Sequence, residues 1–227
     1  MANYAWLHSA NAKTPDEALD DERPEGMTFG IACAKHRLPL LWFAPFRAAD
    51  VRTRTIDPNE GVEDPDPEDA PYECAVAWVE KARGLAQLEK ARAWYAEAFA
   101  DFGSIDEHFA LFAEALRKSP GRHLLFDPSE VGMMTREPEE LAPMLRALLG
   151  ALDGEPDPDV AWELLEHAGY DMDRPFPPAR LHRTPGPHDP RDAGNLDALL
   201  GGSVGLAVPG GPHPWEEDAG PSRDRRG

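Results

Sequence analysis

Two acidic segments hold most of the side chains in this chain that could do chemistry as groups. Residues 60–73 read EGVEDPDPEDAPYE, where Glu60, Glu63, Asp64, Asp66, Glu68, Asp69 and Glu73 are carboxylates and no residue is basic. Residues 153–159 read DGEPDPD, with Asp153, Glu155, Asp157 and Asp159 at alternate positions. Carboxylates so spaced are what a calcium loop uses, together with glycine at the sixth position and a bidentate glutamate at the twelfth. Counted from Asp57, Glu68 falls twelfth, but Val62 holds the sixth place. Counted from Asp153, Pro158 takes the glycine place and Leu164 the glutamate place. Neither run builds the loop. The expectation is no metal site, with both segments offering acidic surface to a basic protein partner.

Other motifs are partial. Cys33 and His36 form C-x-x-H, half of a zinc knuckle, and Cys74 has no Cys or His within four residues to complete it. No H-E-x-x-H, G-x-S-x-G or P-loop occurs, and the glycine-rich run at 201–211 lacks G-x-G-x-x-G, so no cofactor is expected. One site stays open as an alternative. Asp127 and Ser129 follow the apolar run HLLF, and the C-terminal end of a strand is where α/β sites form. A small hydrolase-like enzyme would use Asp127 and Ser129 with nearby His123. The competing local reading, a turn in which Asp127 caps the next segment, is preferred, so no catalytic residue is assigned.

The net charge is −19, and residues 60–73 and 121–170 carry −7 and −8 of it. Such a field repels nucleic acid and anionic membranes and attracts basic proteins. A basic cluster of Lys35, Arg37, Arg47, Arg52 and Arg54 among Trp42, Phe43 and Phe46 runs against that trend, and reads as core aromatics with cations that pair with the chain's own acids. The opening MANYAWLHSANAK has no basic then apolar stretch of a signal peptide, and no run approaches the length of a membrane span. Two cysteines without a secreted scaffold read as reduced thiols. Arg outnumbers Lys eighteen to five, as in GC-rich bacterial genomes. A cytoplasmic bacterial protein is expected.

These side chains need elements to hold them. Period-two patterns predict strands over 3–10, 27–34 and 51–56, and residues 38–46 fit either an edge strand or a short buried helix. Residues 60–73, with three prolines and like charges, read as an exposed connector. Apolar spacings of three and four predict a helix over 75–102 and another to Lys118, opened by a capping box of Ser104 and Glu107. A short strand follows at 123–126, then helices over 137–152, with Thr135 as cap, and from Asp157-Pro158 to Ala168. The fold expected is α+β: a small, mainly antiparallel sheet packed against about four helices. It forms one domain over 1–170, and the Pro/Gly-rich extension at 171–227 is expected to be partly disordered.

The opening NYAWLHS, with Asn3, Tyr4, Trp6, Leu7 and Ser9, and the later GIACAKHRLPLLWF resemble an uncharacterised bacterial family whose members open MAN, then an aromatic, Leu and Ser. The resemblance covers the first fifty residues. It implies kinship of fold and transfers no catalytic residue. The reading that joins charge and motifs is a non-enzymatic protein that binds a basic partner through acidic surfaces, an immunity-type inhibitor being one concrete form.

Overall fold

A computed structural model describes residues 3–20, 24–57, 59, 70–99, 105–134, 136–168 and 200–201. The elements run β1 (Tyr4–Ala10), α1 (Pro15–Leu19), β2 (Thr28–Lys35), two 3-10 turns (Leu40–Phe43 and Ala48–Asp50), β3 (Val51–Ile56) and β4 (Tyr72–Glu80). Then come α2 (Lys81–Ala98), α3 (Ile105–Lys118), β5 (His123–Asp127), α4 (Ser129–Gly132), α5 (Pro138–Ala151) and α6 (Pro158–His167). The five strands pair antiparallel in the order β2-β1-β5-β4-β3. The α+β class expected from the sequence is what the chain builds.

Three expectations are corrected. Residues 75–80 are strand, not the start of the long helix. Cys74 to Val79 are all buried, because β4 lies inside the sheet and is covered on both faces. A strand of that kind reads as a continuous apolar run, CAVAWV, whose period cannot be told from a buried helix. The acidic connector is also shorter than expected, since Tyr72 and Glu73 already pair with Ile56 and Thr55. The ambiguous run 38–46 resolves to a 3-10 turn: Pro39 lacks the N–H that an inner strand must donate, and Leu40, Leu41, Trp42 and Phe43 all turn into the core. Glu137, rather than Thr135, caps α5, in a capping box with Glu140. Ser104, the Glu107 side chain and Thr135 lie outside the description, as do Glu60, Glu63, Asp64, Asp66, Glu68 and Asp69.

Alternation sends side chains of each strand to two faces. One face carries Leu7, Ala75, Ala77, Leu124 and Phe126 into the larger core with α2, α3, α5 and the 3-10 turns. Trp42, Phe43 and Phe46 all surround Phe126 there, at ring centroid distances of 5.7, 5.4 and 6.2 Å. The basic residues near them are not buried with them. The opposite face carries Ala10, Val76, Trp78 and Leu125, covered by Ala18 and Leu19 of α1 and by Met27. Gly84 lets α2 sit close on the sheet, for a Cβ there would lie 2.9 Å from the Leu124 side chain. From the 171–227 extension, Leu200 is buried in the core, and its carbonyl accepts a 2.8 Å hydrogen bond from the Trp42 indole. Residues 171–199 and 202–227 lie outside the description.

Candidate functional site

β5 ends at Asp127, which pairs with Trp6 of β1, and Pro128 turns the chain into α4. Ser129 opens that single helical turn. Its backbone N–H donates to Asp127 Oδ1 at 3.0 Å, and its hydroxyl donates to the same oxygen. The Ser129 hydroxyl also meets the Cys74 thiol on β4. Burial, chiefly, and the neighbouring Asp127 charge push that thiol's pKa up, so Cys74 stays protonated and completes a chain of thiol, hydroxyl and carboxylate. Tyr72 beside it is likewise raised, by burial first and then by Cys74. Glu130 is engaged too, accepting from the Tyr4 backbone N–H at 2.9 Å. The structure brings Asp127 and Ser129 together and leaves His123 apart. That residue starts β5, about 13 Å away by strand rise, and its ring stacks on Trp78 with centroids 4.6 Å apart.

The second acidic segment forms the turn between α5 and α6, and its four carboxylates divide into two pairs. Asp157 caps α6, its Oδ1 accepting from the Asp159 N–H at 2.9 Å, as the Asp-Pro helix start requires. Asp153 accepts from Gln87 Nε2 at 3.1 Å and lies 3.9 Å from Arg47 Nε. Gln87 is buried on α2, and its Oε1 accepts from Arg47 Nε at 2.6 Å, so one amide ties the turn to Arg47. Glu155 and Asp159 are exposed and have no cationic partner among the described residues. Asp159 gains from the positive N-terminal end of α6.

The sequence reading missed Cys74 as Ser129's partner and Gln87 as the bridge to Asp153. These contacts join residues 55 and 66 positions apart, and only tertiary packing makes them. The C-x-x-H half-site is not assembled: Cys33 is buried in β2, and His36 is exposed in a left-handed turn at φ 58°. Among the described residues no group of three or more His, Cys, Asp and Glu side chains is placed to hold a metal ion. No described helix is long and apolar enough to cross a membrane. No family model, curated protein or solved structure matches the chain.

Proposed function

We propose that the chain is a non-catalytic, cytoplasmic bacterial protein that binds a basic protein partner through its acidic surface, an immunity-type inhibitor being one concrete form. The observation that carries this reading is the α5–α6 turn. Two of its carboxylates serve the fold, while Glu155 and Asp159 stand exposed with no described cation to neutralise them. The net charge of −19 supplies the long-range field that speeds encounter with a cationic surface. Nucleic acid is disfavoured by the same charge. Cys33 and Cys74 are buried thiols not joined in a disulfide, which supports a reducing compartment.

The test is native affinity capture at low and high salt, with the wild-type chain and a Glu155→Gln/Asp159→Asn variant. A basic protein retained by the wild type, released by salt and held more weakly by the variant supports the reading. Retention that ignores both salt and the substitutions sinks it. The hydrolase-like alternative at Asp127 and Ser129 has one contact in its favour, the Ser129 hydroxyl on Asp127. It would require a turnover that Ser129→Ala abolishes while the fold persists.

A further inference from the structure

Two residues of the 171–227 extension are described, Leu200 and Gly201, and both are buried in the domain. Three contacts fix them there. The Leu200 side chain is fully buried in the larger core. Its carbonyl accepts the 2.8 Å hydrogen bond from the Trp42 indole. Gly201 takes a left-handed φ of 83°, and a Cβ on it would stand 2.5 Å from the Trp42 ring and 3.1 Å from the Cys33 carbonyl oxygen. So an apolar pocket takes one side chain, a buried donor takes the backbone beside it, and close walls admit only glycine next. A pocket for a side chain together with a donor for the main chain is how proteins read short peptides.

The walls are held by contacts that do not involve their occupant. The Trp42 backbone N–H donates to the Pro39 carbonyl at 3.0 Å, and its ring meets Phe126 edge-on with centroids 5.7 Å apart. Cys33 lies in β2, paired with Trp6 of β1. The five-stranded sheet is complete without residues 200 and 201. The occupant is joined to Ala168, at the end of α6, through the 31 residues 169–199. Burial of one leucine and one hydrogen bond favours docking, and the entropy of closing a connection of that length opposes it on a similar scale. The docked and released forms are therefore close in free energy.

We infer that Trp42 and Cys33 form a peptide socket for a leucine followed by glycine, and that Leu200 and Gly201 are a latch filling it in cis. A partner segment with the same two residues displaces the latch and releases the extension. The ligand is recognised by apolar burial and one backbone carbonyl, so this inference stands apart from the reading of a basic partner on the acidic surface.

The test uses the full chain, labelled with nitrogen-15, and a dye-labelled peptide of residues 195–204. The Trp42 indole signal is assigned by its loss in Trp42→Phe. In Leu200→Asp, and in Gly201→Val, whose added side chain would strike the Trp42 ring, the latch is expected to release and the indole signal to move. The peptide should then return that signal saturably to its wild-type position. By fluorescence anisotropy it should bind the variants roughly tenfold more tightly than the wild type, where the latch competes. The same peptide carrying Gly201→Val should not bind. An indole signal unmoved in the variants, or moved and not restored by the peptide, overturns the latch. So does equal affinity for wild type and variants. Loss of the fold in both variants, read by circular dichroism, also overturns it, since Leu200 would then be an integral part of the core.

Discussion

The Asp127 cluster and the Arg47 recess are built from similar parts and end differently. In each, one polar side chain bridges two others: Ser129 joins Cys74 to Asp127, and Gln87 joins Arg47 to Asp153. The first chain is closed. Its hydroxyl is buried, its thiol is held protonated, and its carboxylate takes two donors from one residue. The second is open, with half-exposed ends and a cavity of about 400 Å³ alongside. A saturated polar network serves mainly to fix the fold, whereas an unsaturated one beside a void has capacity left for a ligand. The two tryptophans repeat the contrast. Trp42 gives its N–H to the Leu200 carbonyl, and the buried Trp94 N–H meets no acceptor among the described residues.

If saturation is what separates them, substitutions should cost stability on the closed side and little on the open side. The largest gap is expected between the tryptophans. Trp42→Phe removes packed ring and orphans a buried carbonyl, and should cost about 3 kcal/mol in chemical denaturation. Trp94→Phe also loses ring area but removes an unmade donor beside an existing void, so about 1 kcal/mol is expected. Equal losses would break the comparison. Next comes the carboxylate pair. Asp127→Ala leaves the buried Ser129 hydroxyl and N–H without their acceptor and should cost about 2 kcal/mol. Asp153 is 45 % exposed, so water replaces it, and Asp153→Ala should cost under about 1 kcal/mol.

Much of the frame was legible because local pattern and tertiary role agreed. Strands β1, β2 and β3, helices α3, α5 and α6, and the Asp-Pro start at Asp157 all followed from periodicity and capping chemistry. β4 was not, because burial on both faces erases the period-two signal that marks a half-exposed strand. The acidic turn was visible as composition, but its division of labour was not. Nothing in DGEPDPD tells that Asp153 meets Gln87 while Glu155 stays unpaired, since that depends on which helix passes nearby. The Arg47 bridge was invisible for the same reason: only the packing of α2 against the α5–α6 turn brings Gln87 between Arg47 and Asp153.

His167 sharpens the comparison with a third case, a buried polar group on α6. Its Nε2 is buried without a hydrogen bond among the described residues, and Glu163 Oε1, at 3.8 Å, is too far to supply one. Burial first, then the Arg136 charge, lowers its pKa below the ordinary 6.5, against a smaller opposing pull from Glu166. The folded chain therefore holds His167 neutral in a range where the unfolded chain protonates it. Above pH 6.5 the residue is neutral in both states and costs nothing. As pH falls below 6.5 the unfolded state binds the extra proton, so stability drops until the folded pKa is passed. His167→Gln should remove that slope, leaving denaturation midpoints flatter between pH 6.5 and mildly acid conditions than in the wild type. The effect should be the smallest of the three, because one partly shielded imidazole is involved. An unchanged slope would mean that His167 takes up its proton equally in both states, with Glu163 moving in to accept a hydrogen bond from the imidazolium, and that His167 belongs with the open groups and not the closed ones.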